Sequence, residues 1–172
     1  LGKVLIEGGT ASKSGDISIA AASGVYTAGE SSIIIGVNGD IDAEQGGVSL
    51  EATNGDIVVT EKVHAVTGLK AATKGQGGIS FGTDVEVSGD IGLTTDTGDI
   101  EIGRQVRSTG GNITATVNKA GDIKVGYTGS GSATQADGMV VDTVSAGQDV
   151  SLKTGLGKVL IEGGTASKSG DI

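Results

Sequence analysis

An all-β parallel solenoid is the fold this sequence predicts. Three observations lead there: a composition of glycine and small aliphatics, a seventeen-residue segment that recurs unchanged, and short apolar–polar alternations returning about every 22 residues.

Composition comes first. Of 172 residues, 33 are Gly, none is Pro, Cys or Trp, and there are one Phe, two Tyr and one Met. An ordinary compact core of this length draws much of its buried area from aromatics. Here Ile, Val, Leu and Ala supply nearly all the apolar surface. At 36% hydrophobic residues and a mean hydropathy of +0.08, the chain is too apolar for a solvated coil. It needs a thin core of small side chains and many turns.

The formal net charge is −9, from 21 acids and 12 bases. That balance argues against nucleic acid, whose phosphates are bound mainly by Lys and Arg, and against an anionic membrane surface or a heparin-like partner. No apolar run reaches the ~18 residues of a membrane-spanning helix, so no membrane insertion is expected. Without Cys there is no disulfide framework, which fits a long secreted bacterial polypeptide kept unfolded for export. No signal peptide is present, but the chain starts in mid-pattern, so export stays open on that point.

The recurrence decides the domain reading. Residues 1–17 read LGKVLIEGGTASKSGDI, and residues 156–172 read the same, at an offset of 155. Residues 1–155 are therefore expected to be one tandem unit and 156–172 the start of the next, with the fragment continuing both ways. Setting aside Lys158, Glu162, Lys168 and Asp171 of the overlap, each unit again carries −9.

A shorter period lies inside the unit. Gly-Asp-Ile occurs at 15–17, 39–41, 55–57, 89–91, 98–100, 121–123 and 170–172, with variants around Ile79, Ile113 and Val150. Taking Ile17, Ile41, Ile57, Ile79, Ile100, Ile123, Val150 and Ile172 as equivalent markers gives about seven coils per unit, averaging about 22 residues. Val48, Leu69, Ile91, Ile113 and Val140 precede five of these markers by nine or ten residues, and weaker segments follow at Val63–Val66, Val85–Val87 and Gln105–Arg107. Each coil then has three short strands. Ile17-Ser18-Ile19, Val48-Ser49-Leu50, Ile79-Ser80-Phe81, Ile100-Glu101-Ile102 and Val150-Ser151-Leu152 alternate with the strand period.

Such strands are too short to stand as hairpins. Stacked in parallel, each pairs with its counterpart one coil away, and like side chains form ladders. Gly permits sharp corners, Asp caps them through nearby N–H groups, and the lack of Pro suits strands paired on both sides. Seven coils at about 4.8 Å predict a rise of roughly 34 Å per unit. Residues 126–138 read as a loop bulging from an overlong coil, available for a contact between fibres or for glycan attachment, though a solvated insertion is the simpler reading.

Repeated Gly-Asp-Ile or Gly-Asn-Ile followed by alternating Ser, Thr, Ala and aliphatics resembles the repeats of filamentous haemagglutinin and related large exoproteins. The resemblance covers most of the chain. It implies a right-handed parallel β-helix, export by two-partner secretion, and a role as adhesin or surface fibre. Coils averaging about 22 residues and near-identical units depart from that family, and favour a fibre made by copying one module.

Candidate sites are few. The corner acids Asp16, Asp40, Asp56, Asp99, Asp122 and Asp149 read as a column of capping carboxylates. A Ca²⁺ column is the alternative, disfavoured by the break at Gly78 and by the absence of any Gly-Gly-x-Gly-x-Asp run. His64, the single histidine, lacks partners for zinc or a catalytic triad and is expected on a strand facing water. A polysaccharide-cleaving site needs aromatics and a charged groove, which this composition does not offer. Thr114-Ala115-Thr116 is an isolated Thr-x-Thr, not an ice-binding ladder. No catalytic, metal or cofactor residue is assigned and no enzyme is expected. The sequence predicts a structural component of an extracellular or cell-surface fibre whose partner is itself, by end-to-end continuation of the solenoid, with lateral association between fibres as a second mode. The alternative is the stalk of a secreted adhesin whose binding domain lies elsewhere.

Overall fold

The computed structural model describes residues 4–22, 31–35, 40–128, 131–132, 142–162 and 164–172. Its core begins with the alternation noted above. In Ile100–Ile102 the two Ile side chains are buried and Glu101 between them is half-buried, as the two-residue strand period requires. A strand of three residues is stable here because it has a parallel neighbour on each side.

Strands of this kind form three parallel sheets, the faces of one β-helix with three strands per coil. The first face runs Val4–Ile6, Ser31–Ile35, Asp56–Val59, Ile79–Phe81, Ile100–Ile102, Ile123–Val125 and Val159–Ile161. The second runs Thr10–Ser12, Ile41–Ala43, Val63–Ala65, Val85–Val87, Val106–Ser108, Asp142–Ala146 and Gly164–Ser167. The third holds the longest strands: Ile17–Ala21, Val48–Ala52, Gly68–Gln76, Asp90–Thr97, Ile113–Ala120 and Val150–Leu156.

Ile57, Ile79, Ile100 and Ile123 pair successively in register and are at most 1% exposed. Beside them runs a second file, Val59, Phe81, Ile102 and Val125. The second face contributes Ile41, Val63, Val85, Val106 and Val144; the third contributes Val48, Leu69, Ile91, Ile113 and Val150. All are buried, so one aliphatic core runs the length of the molecule. Two hydroxyls inside it are satisfied: Thr73 Oγ1 donates to the Gly77 carbonyl and Thr95 Oγ1 to that of Gly98, each at 2.8 Å.

The register corrects two expectations. The markers Ile17, Ile41 and Val150 are not equivalent to Ile57: Ile41 lies on the second face, and Ile17 and Val150 lie on the third. A 155-residue unit consequently spans six coils rather than seven, since six pairing steps lead from Val4 through Ile33, Ile57, Ile79, Ile100 and Ile123 to Val159. The central coils keep the expected length, with partners 21 to 23 residues apart. Extra chain falls between Ala21 and Ser31 and between Val125 and Asp142, while the strands flanking each insertion still pair directly with the adjacent coil. Of the expected loop, Tyr127–Thr128 pairs antiparallel with Gly131–Ser132. Residues 129–130 and 133–138, like Val140, lie outside the described residues.

At the corner entering the first face, Gly55, Gly77, Gly98 and Gly121 stack on one another, all with positive φ. Gly98 has φ 134°, and a Cβ there would lie 2.6 Å from the Gly77 carbonyl. Side chains seldom adopt that backbone conformation, and the neighbour in the way is itself backbone. Gly98→Ala is expected to cost about 2 kcal/mol or more, on a par with a strained-backbone defect. Ile100→Ala in the adjacent core should cost about 2–5 kcal/mol. Denaturant titration of both variants checks the pair, and a neutral Gly98→Ala would contradict the corner geometry.

Candidate functional site

The corner acids are the chain's most regular polar feature, and the fold distributes them over three edges. Asp56, Asp99 and Asp122 stand immediately before the inward first-face residues Ile57, Ile100 and Ile123. Asp16, Asp90, Asp149 and Asp171 precede third-face positions, with Asn112 among them, and Asp40 precedes a second-face strand. The expected single column of Asp16, Asp40, Asp56, Asp99, Asp122 and Asp149 does not exist, because the same tripeptide serves every corner.

What each acid does also differs from local capping. Asp56 Oδ1 accepts the N–H of Gly78 at 2.7 Å, one coil further on. Asp16 does the same for Gly47 at 2.7 Å, Asp40 for Lys62 at 3.2 Å and Asp90 for Asn112 at 2.8 Å. Asp99 accepts from Asp122, and Asp122 from Lys158, each at 2.8 Å. On the third-face edge, Asn112 Oδ1 accepts from Asp149 at 3.0 Å and Asp149 from Asp171 at 2.9 Å. Every bond runs from a side chain in one coil to the equivalent backbone position in the next. These are ladders of one polarity, broken where Gly47, Gly68 or Gly78 supplies no side chain. Local capping falls instead to serine: Ser12, Ser108 and Ser167 each accept the N–H three residues on, at Gly15, Gly111 and Gly170.

Ion pairs on the outer faces also join neighbouring coils. Lys124 Nζ lies 2.7 Å from Asp99 Oδ2 and 2.9 Å from Glu101 Oε1. Hydrogen bonding to Asp99 and then to Glu101 raises the Lys124 pKa against its partial burial. Partial burial pushes the Asp99 carboxyl up, but the Lys124 ammonium and the Asp122 N–H together outweigh it and hold the group below its ordinary value. Lys119 pairs with Asp96 at 2.6 Å, Lys62 with Glu86 at 3.2 Å, and Lys74 with Glu51. His64 is outward-facing on Val63–Ala65, with Nδ1 2.8 Å from Asp42 Oδ1.

Two open grooves lie beside the ladder breaks. One, of about 550 Å³, is bordered by Asp56, Gly78, Ser80, Asp99 and Glu101. The other, of about 590 Å³, is bordered by Asp16, Ser49, Lys70, Asp90 and Gly92. Neither contains an aromatic platform or a nucleophile–base pair. Among the described residues no group of three or more His, Cys, Asp or Glu side chains is arranged to hold a metal ion. Thr116 pairs with Thr94, but Thr114 lies between Gly92 and Ser151, so the Thr-x-Thr segment forms no continued array. Sequence reasoning found the corner acids but missed Asp90 and Asn112 as members and the coil-to-coil direction of bonding. The signal was the recurrence of Asp or Asn immediately before Ile17, Ile91, Ile113 and Val150. No family model, curated protein or solved structure matches the chain.

Two outcomes follow. Asp56→Asn keeps the accepting oxygen and should alter stability by less than about 0.5 kcal/mol, whereas Asp56→Ala strands the Gly78 N–H and should cost about 1–2 kcal/mol in denaturant titration. Asp99, held below its ordinary pKa in the fold, contributes stability above about pH 4 that is lost as pH falls through its folded value. Lys124→Met should therefore shrink the fall in melting temperature between pH 5 and about pH 2.5. An undiminished fall would remove this pair as a source of acid sensitivity.

Proposed function

We propose that this chain is a repeating module of a structural fibre, exposed outside the cell or on a bacterial cell surface. The observation that carries the reading is the pairing of one repeated sequence on both of its sides. As residues 1–17 it pairs forward, Val4 with Ile33, Thr10 with Ile41 and Ile17 with Val48. As residues 156–172 it pairs backward, Val159 with Ile123 and Thr165 with Val144. Superposing the two copies gives a coil covered on each side, with the aliphatic core running on from unit to unit and the third-face edge ladder crossing the junction through Asp149 and Asp171.

Such an array would be a stiff rod, because each module boundary has the same bonding as the module interior. The fully paired backbone leaves few accessible extended segments for proteases, and the lack of Cys makes assembly independent of redox conditions. Six coils at about 4.8 Å correspond to an axial rise of about 29 Å per unit, in place of the 34 Å the spacing predicted. Negative-stain microscopy of a polypeptide with several units should show thin unbranched rods lengthening by about 29 Å for each added unit. Globular beads on a flexible string would refute the reading.

A further inference from the structure

We propose that the first face carries a lateral docking patch, Leu5, Ile34 and Val58, which pairs with the same patch on a second, antiparallel copy of this chain. The repetition of the patch, once per unit, rests on the fibre reading. Side-to-side assembly is an addition that the fibre reading does not require.

The patch departs from the alternation that governs the other faces. Outward positions on the second face include Asp42, His64, Glu86 and Arg107, and those on the third include Ser49, Lys70, Gly92 and Thr114. On the first face the outward file runs Leu5, Ile34 and Val58 before it turns polar at Ser80, Glu101 and Lys124. Val4-Leu5-Ile6, Ile33-Ile34-Ile35 and Ile57-Val58-Val59 are thus unbroken apolar runs, the pattern of parallel strands covered on both faces. Ile34 and Val58 each have a coil on either side, yet both are only half-buried. What stays open to water is the flank of the stack.

The charges beside the patch select a second copy and its direction. Lys124 pairs in register with Leu160, the counterpart of Leu5 in the repeated segment. In an array, each patch therefore has Lys124 of the preceding unit on one side, and Ser80 and then Glu101 on the other. Turned end for end about a two-fold axis between Ile34 and Val58, two copies set Ile34 against Val58, Leu5 against Ser80 and Lys124 against Glu101. Opposite charges then flank an apolar centre on both sides. A parallel pair in register would set Glu101 on Glu101 and Lys124 on Lys124. The Glu101 side chain stays 42% exposed despite its bond to Lys124, which leaves its carboxylate open to a partner's ammonium. The partner's Leu5 meets the groove bordered by Val58, Ser80 and Glu101.

Three apolar side chains per unit fall well short of the roughly 20–30 residues a side of a stable complex. Pairing should therefore set in only as units are linked, each added patch meeting its partner at the effective concentration fixed by those already bound. Negative-stain images of polypeptides with increasing unit number should show single rods giving way to two-rod ribbons. Because the chain has no Cys, cross-linking can set the direction. Packed sheets lie about 10 Å apart, within reach of a short bis-maleimide. Multi-unit Leu5→Cys and Ser80→Cys chains, mixed, should cross-link to each other. Ser80→Cys should not cross-link to its own copy, which lies three coils away, roughly 14 Å along the axis. Ile34→Lys and Val58→Glu should each keep the melting temperature of the single unit and lose the ribbons. Their mixture should regain them, because the new ammonium faces the new carboxylate.

Rods that stay single at every length would overturn the proposal and leave the fibre reading standing. Self-cross-linking of Ser80→Cys without the mixed product would overturn the antiparallel arrangement. An Ile34→Cys thiol that resists maleimide in the single unit would mean that the chain itself covers the patch, and would sink the proposal. A single Ile34→Lys unit melting well below the wild type would do the same.

Discussion

Each strand of this molecule owes its place to the strand one coil away. A three-residue strand such as Ile79–Phe81 has almost no stability of its own, yet it is hydrogen-bonded to Asp56–Val59 on one side and Ile100–Ile102 on the other. The pairing is in register, so identical faces meet and the aliphatic side chains stack. A one-residue slip would turn Ile79 outward and Ser80 into the core, which fixes the register strongly. Glycine corners, carboxylate ladders and inter-coil ion pairs all presuppose this alignment.

The corners show how the constraint selects residues. Coils approach so closely that Gly98 admits no Cβ against Gly77, while the next position along must reach upward with an oxygen. Asp and Asn have the length for that bond. Where Gly78 stands instead, the step to Asp99 rests on backbone bonding alone, with Ile79 N–H donating to the Asp99 carbonyl. The acidic balance of the chain is thus in part architectural. It sets like charges at successive heights of an edge, and Lys124 between Asp99 and Glu101 offsets one such accumulation.

Much of this was legible from residues alone. The file of Ile57, Ile79, Ile100 and Ile123 follows from spacing, and the second and third faces follow from the companion segments around Val63 and Leu69. The coil count was not legible, because Gly-Asp-Ile marks a corner of any edge and Ile17 looks locally identical to Ile57. Only pairing distinguishes them. The destination of the Asp56 oxygen was hidden for a similar reason: its partner, Gly78, is distant in sequence and adjacent only once coils stack. Nothing in the sequence singled out Thr95, whose hydroxyl bonds to the backbone at a bulge inside the core.

The direction of the hydrogen bonds has a mechanical consequence. They lie along the long axis, and the chain runs across it, so tension on the two termini does not shear many bonds at once. It peels the outermost turn, which yields about 75 Å of extended chain for each 22-residue turn released while the rod shortens by less than 5 Å. Such a molecule stretches by shedding turns singly from its ends, absorbing work in small equal increments while the interior stays wound.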